Sequence, residues 1–458
     1  MKTIIRSGTV VTATDTRHAD VLIEDGRILH VGPDVDASVA DEVIDASGLH
    51  VFPGFIDPHV HTRDPGLTHK EDFVHATRAA AAGGITTMLV MPNTVPPTDD
   101  EAAITKHARA QAPSAHVDFG SWALAVGNES IADLVALREA GAVAVKLFWG
   151  YAFDRGSKTL VYDSSTGTGD VIPPASNGDV WRLFRHANEA GILVGVHCED
   201  HAIVSAASAT VGPATGATAL ATTRPVVAES VAVAAVIEIA HATGARAHVV
   251  HASSARSVKL LRQARADGVE VSAETCPHYL TLDPERLDAS GLKAYPPVRG
   301  GQDAEALWTA VIDGTIGSLS SDHAPHAADE RIGPFDRRPA GIAGVQTTTQ
   351  VLVDAFLRRQ VPLQVLADRL STGSARLYGI YPTKGSIEVG ADADITIVDT
   401  SARWQIRAAD LESKDRSSPW DGVSGRGAAV LAMVRGNVIM REGRPVGPPM
   451  GRWIVPAG

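Results

Sequence analysis

Pro53-Gly54-Phe55-Ile56-Asp57-Pro58-His59-Val60-His61 reads as an apolar strand that closes on two histidines two positions apart. Alternate residues of an extended chain face the same side, so His59 and His61 share one face. No glycine-rich phosphate loop follows this strand, which argues against a doubly wound nucleotide-binding sheet. Working outward, short apolar runs near residues 86–91, 116–125, 143–148, 193–197, 247–251, 269–274 and 316–322 read as further strands. Helical stretches fill the gaps: Glu71–Ala82, Ser130–Ala140, Asp179–Ala190, Glu229–Ala242, Ala255–Ala266 and Ala304–Ile312. Alternating β and α runs around a parallel sheet predict a TIM-type (β/α)8 barrel, whose chemistry sits at the carboxyl ends of its strands.

The two chain ends have a different texture. Thr9–Thr12, Val21–Ile23 and Ile28–Val31 read as strands, with Asp25-Gly26 as a hairpin turn between the last two. Asp394–Val398, Val430–Val434 and Val438–Met440 repeat that texture near the carboxyl end. The expected organisation is therefore a barrel over residues 53–380 and a smaller β-sandwich domain built from residues 1–52 and 381–458. Between strand four and the next helix, Asp154–Gly178 is rich in Ser, Thr, Gly and Pro and reads as a long loop over the catalytic face, a candidate lid.

The 458 residues are 44% hydrophobic and 21% charged, ample for a large core. With 41 Lys and Arg against 53 Asp and Glu, the net charge of −12 argues against nucleic acid as a partner. Two cysteines, Cys198 and Cys276, provide no disulfide framework and suit a reducing compartment. The amino terminus lacks the apolar stretch of a signal peptide, and the apolar run Val231–Ile237 stops at Glu238. A cytoplasmic protein with no membrane partner is expected.

Further candidates sit at matching strand ends: His197 closes Leu193-Val194-Gly195-Val196-His197, His251 closes His248-Val249-Val250-His251, and Asp322 closes Ser318-Leu319-Ser320-Ser321-Asp322. A single histidine at such a place is most simply a core residue. Four histidines and an aspartate at one height of four strands instead point to metal ligation, and neutral imidazole suits zinc. Lys146 interrupts the buried run Ala142-Val143-Ala144-Val145-Lys146-Leu147-Phe148, where an unpaired ammonium is costly. It either snorkels to the rim or, as a neutral amine, takes up carbon dioxide as a carbamate able to bridge two cations.

In that order, His59-Val60-His61, Lys146, His197, His251 and Asp322 resemble the amidohydrolase superfamily, in particular its cyclic amidohydrolases: hydantoinase/dihydropyrimidinase, dihydroorotase and allantoinase. The resemblance implies two zinc ions, one on His59, His61 and Asp322, the other on His197 and His251, bridged by carboxylated Lys146 and a hydroxide. It also implies a small cyclic amide or ureide as substrate, with Asp322 moving the proton from hydroxide to the departing ring nitrogen. A homo-oligomer, dimer or tetramer, is expected.

The choice of ring divides the residues. An Arg, an Asn and a His at the positions of Arg63, Asn93 and His326 hold the substrate carboxylate in dihydroorotases, although Arg63 is equally placed for an ion pair with Asp64 or Glu71. A tyrosine five residues past the lysine, here Tyr151, donates to the developing oxyanion in hydantoinases, and Tyr151 also reads as a core aromatic. Glu274-Thr275-Cys276-Pro277-His278-Tyr279-Leu280 resembles the hydantoinase and allantoinase pattern, with His278 a candidate substrate contact. The reading places a hydantoin-like ring first, dihydroorotate second and allantoin third. An inactive scaffold relative is the non-enzymatic alternative.

Overall fold

The computed structural model describes residues 1–36, 38, 40–126, 133–161 and 170–457. Five strands come first: β1 (Lys2–Val11), β2 (Thr16–Glu24), β3 (Arg27–Gly32), β4 (Glu42–Asp45) and β5 (His50–Pro53). The barrel strands follow as β6 (Phe55–Val60), β7 (Ile85–Val90), β8 (Asp118–Ala125) and β9 (Ala142–Trp149). After a small excursion of β10 (Ala152–Asp154), β11 (Thr159–Val161) and β12 (Val171–Ile172), the barrel resumes. Its last strands are β13 (Val194–Cys198), β14 (Ala247–Val249), β15 (Val271–Thr275) and β16 (Ser318–Leu319). The chain ends on β17 (Ile395–Gln405), β18 (Ser424–Val434), β19 (Asn437–Arg441) and β20 (Arg444–Pro445).

Strands β6 to β9 and β13 to β16 pair in parallel in the order β16-β15-β14-β13-β9-β8-β7-β6. The ring closes where His61 N donates to His323 O at 2.8 Å and His323 N donates to His59 O at 3.2 Å. Both faces of these strands are covered, which is why they are buried along almost their whole length and mostly apolar rather than alternating. The chain ends join in one sheet, β20-β19-β18-β17-β5-β1-β2-β3, with β4 alongside β1. Its core is Ile5, Val10, Val21, Ile23, Ile395, Ile397, Leu431 and Met433. Asp25 and Gly26 both take positive φ, as the tight hairpin between β2 and β3 requires.

Barrel and sheet are bolted by charge. Lys384, 2% exposed, sits among Asp118 at the start of β8, Asp392 at 2.9 Å and Asp394 at 2.6 Å. Arg435, past β18, reaches Asp118 as well. These three buried carboxylates are grouped closely enough to hold a cation, and the Lys384 ammonium fills that role.

Several sequence expectations need adjustment. Strands were expected to run through His251 and Asp322, but β14 stops at Val249 and β16 at Leu319. The chain then takes positive φ at His251 (39°) and Asp322 (47°), so both side chains are aimed by a sharp backbone turn and not by strand alternation. Arg63 (59°) likewise lies beyond the end of β6, so its direction is set by that turn. The segment Asp154–Gly178 is not a plain loop: β11 and β12 flank β10 in a three-stranded antiparallel sheet, with Phe153, Leu160 and Ile172 packed on Leu124 and Phe148. Residues 162–169 of that segment, and 130–132 of the helix expected from Ser130, lie outside the described residues. That helix is described as Leu134–Glu139. The helix Val226–Thr243 is long and apolar enough, by length and composition alone, to cross a membrane, although the uninterrupted apolar run within it stops at Glu238. Here it buries Ala228, Ala232, Val233, Val236 and Ala240 against the fold, as a core helix does.

Candidate active site

The carboxyl ends of the barrel strands bring the predicted residues to one cavity. His59, His61, Arg63, Asn93, Lys146, Tyr151, His197, His251, His278 and Asp322 all line it. His326 stands behind Arg63, its Nε2 at 3.3 Å from the guanidinium. His59 and His61 present their Nε2 atoms to the Asp322 carboxylate at 3.3 and 3.5 Å. Lys146 Nζ lies 3.5 Å from His59 Nε2. Across the cavity, His197 Nδ1 and His251 Nε2 face each other at 3.1 Å.

These spacings fit divalent cations. Two ligand nitrogens at tetrahedral positions about 2.0–2.1 Å from one zinc lie about 3.3 Å apart, and the observed separations cluster around that edge. Three of the four rings have their rear nitrogen tied down as metal ligands require, whereas His251 Nδ1 is buried without a hydrogen-bond partner. His59 Nδ1 meets Glu274 Oε1 at 2.6 Å, His61 Nδ1 meets Asn93 Oδ1 at 2.7 Å, and His197 Nε2 meets Glu199 Oε2 at 3.0 Å. Burial holds His61, His197 and His251 below the usual imidazole value, His61 at about 3, so these rings are neutral with a lone pair to give. His59, His61 and Asp322 form a group able to hold a metal ion.

Electrostatics sort the remaining groups. Burial brings the Lys146 ammonium down to about 8, with Asp322 and Glu274 pulling the other way, so the neutral amine is accessible near physiological pH. Burial would raise the Asp322 carboxyl, but His59, His61 and His251 hold it well below the ordinary range. Glu199 is also opposed by burial, yet Arg224 and His197 hold it at about 2, with Arg224 gripping it at 2.6 and 3.0 Å.

The substrate candidates occupy the remaining walls. The Tyr151 ring stands edge-on to His197, with centroids 4.8 Å apart. His278 is fully buried, both of its ring nitrogens lack a hydrogen-bond partner, and burial keeps it neutral, with a value near 4. Arg63 donates from Nε to Pro325 O at 3.1 Å, which fixes the guanidinium beside His326. Glu71, one ion-pair partner considered for Arg63, instead accepts hydrogen bonds from Ser413 and from the backbone of Asp72 and Lys414.

Sequence reasoning missed the supporting carboxylates. Glu274 lies at the end of β15 and touches both His59 and, at 3.4 Å, His248. Glu199 lies two residues past His197, and its pairing with Arg224 spans 25 positions. A signal existed: each is an acidic residue at or just past the end of a buried strand, Glu274 within β15 and Glu199 one residue beyond β13, where an isolated charge is too costly to bury.

The chain is similar to known proteins along nearly its whole length. A model described as "Amidohydrolase family" matches residues 50–439. A dihydroorotase from Citrifermentans bemidjiense is 36% identical, the match covering 96% of this chain and 99% of that protein. An allantoinase from Rubrobacter xylanophilus is 37% identical, covering 99% and 97%. Among solved structures, the L-hydantoinase (dihydropyrimidinase) from Arthrobacter aurescens superposes with a TM-score of 0.92 at 28% identity, covering 99% of both chains. With that family match and relatives above 30% identity along nearly its whole length, the chain belongs to the amidohydrolase family and is a hydrolase acting on cyclic amides.

Proposed function

We propose that the chain is a binuclear zinc enzyme that opens a five- or six-membered cyclic ureide of the hydantoin or dihydropyrimidine type by hydrolysis of a ring C–N bond. His59, His61 and Asp322 would hold one ion and His197 and His251 the other, with carboxylated Lys146 between them. When bound, such a pair ionises water near neutral pH and offsets the negative charge that develops on the attacked carbonyl oxygen.

The chain's own residues would do the rest. Asp322, held ionised, accepts the proton of the attacking water and returns it to the departing ring nitrogen. Tyr151 donates its phenol to the carbonyl oxygen as charge grows there, and His278 offers a neutral imidazole to a ring heteroatom. Glu274, Asn93 and Glu199 fix the orientation of His59, His61 and His197. The observation that carries the choice of ring is the Tyr151 phenol-bearing ring set in the cavity wall against His197.

A second reading, an acidic ring such as dihydroorotate, is supported by the Arg63 guanidinium lining the same cavity with Asn93 and His326 close by. Allantoin is the third. A turnover screen of zinc-loaded protein against hydantoin, dihydrouracil, dihydroorotate, allantoin and simple cyclic imides tests the assignment. Fastest turnover of hydantoin or dihydrouracil is expected, and turnover confined to dihydroorotate would transfer the assignment to the second reading. We further propose that the chain works as a cytoplasmic homo-oligomer.

A further inference from the structure

At the opposite end of the barrel from the histidine cluster lies a second cavity, of about 620 Å³. It opens between the amino-terminal ends of β13 to β16, and its far wall is the segment around residues 368–377. Four arginines line it, Arg246, Arg265, Arg369 and Arg376, against two acids, Glu270 and Asp368. In a chain of net charge −12, a local excess of two positive charges in one concavity is the reverse of the overall balance.

Arg246, Arg265 and Arg376 are exposed and Arg369 is buried, and three of the four guanidinium groups are tethered to backbone carbonyls. Arg246 donates to Leu377 O at 3.0 Å, Arg265 donates to Gly314 O, and Arg369 donates to Val311 O at 2.9 Å and pairs with Asp368. Arg369 is nine-tenths buried, and burial together with the neighbouring Arg265 charge lowers its pKa. Like charges gathered in one concavity are stabilised by a counter-anion. A guanidinium has five N–H donors, so one anchored to a carbonyl still offers a fork to an oxyanion. Where Gly268 and Gly317 line the cavity, an added Cβ would meet no atom within 4 Å, so the space before them is open to a ligand.

We propose that this cavity on the barrel floor is a binding site for a phosphate dianion, either free or as the phosphomonoester of a small metabolite. Two net positive charges match a dianion, and the volume falls in the range of small-molecule sites. The site is separate from the histidine cavity and shares no lining residue with it.

The test is calorimetric titration of the metal-loaded protein with inorganic phosphate and, separately, with a nucleoside 5′-monophosphate, at constant ionic strength. The same titrations are run on Arg246→Glu, Arg265→Glu and the milder Arg246→Gln, with Arg441→Glu as a control on a remote exposed arginine. Saturable binding is expected in the unaltered protein. The loss should be at least about tenfold in each floor variant, the scale of one charge-assisted contact, with the control unchanged. Ring-opening activity should persist in all four variants, which also shows that they fold. Phosphate binding alone would identify the free ion as the ligand, and tighter nucleotide binding would identify the ester. Absence of saturable binding, or binding equally strong in the floor variants, would overturn the proposal.

Discussion

Replacing Glu274 by Gln separates the metal site from the fold. The carboxylate is fully buried, accepts from His59 Nδ1 at 2.6 Å and lies 3.4 Å from His248 Nε2. Glutamine is nearly isosteric and its carbonyl oxygen still accepts from His59, so the substitution removes charge and leaves the shape. A hydrogen bond to a charged acceptor is worth about 1.5–3 kcal/mol against about 0.5–1.5 for a neutral one, so the loss is about 1–1.5 kcal/mol. That corresponds to roughly tenfold weaker metal binding, the low end of what orienting partners of metal ligands contribute. Burial would raise the Glu274 carboxyl, but His59 and His248 hold it well below its ordinary range, so its charge stabilises the metal-free fold as well, and the metal-free variant should lose about the same 1–1.5 kcal/mol and no more. The assay is competition for zinc against a chelator of known affinity, paired with thermal unfolding of the metal-free form. Unchanged zinc affinity, or a metal-free protein destabilised by several kcal/mol, would refute the assignment of Glu274 as a positioning residue for His59.

Three further outcomes follow from named contacts. Lys384→Met leaves Asp118, Asp392 and Asp394 buried without their ammonium and should destabilise the chain by about 3–5 kcal/mol in chemical denaturation. Burial raises the Asp394 carboxyl to about 6 from 3.8, so its contribution to stability is present below 3.8 and is lost as pH rises through 6. The variant should therefore lose less stability at pH 5 than at pH 8, and a pH-independent loss would contradict the network. Arg63→Met should raise KM for an acidic ring by at least about tenfold while leaving a neutral ring nearly unaffected, and equal effects on both would remove the carboxylate clamp. Tyr151→Phe should lower kcat about 10²-fold or more with little change in KM, and an unchanged kcat would leave Tyr151 a packing residue.

The barrel was legible because a buried parallel strand is marked by short, mostly apolar runs without polar alternation, and Ile85–Val90, Ala142–Trp149 and Val194–Cys198 carry that mark. The histidines stood out for the same reason, as polar residues closing apolar runs. Less legible were features set by tertiary contact. The turns that aim His251 and Asp322 depend on a positive φ at residues other than glycine, which sequence gives no reason to expect. Antiparallel pairing of β10 with β11 and β12 stayed hidden because Ser, Thr and Gly dominate the segment and its apolar contacts, made by Phe153, Leu160 and Ile172 among the described residues, are few and far apart in sequence. The Lys384–Asp118 contact joins residues 266 positions apart, a distance over which no local pattern operates.

The proposed ring opening depends on two cations gathered by His59, His61, Lys146, His197, His251 and Asp322. Elemental analysis of active protein purified without chelators tests it most directly. About two zinc equivalents per chain are predicted. Full ring-opening activity in protein that contains no divalent metal would contradict it.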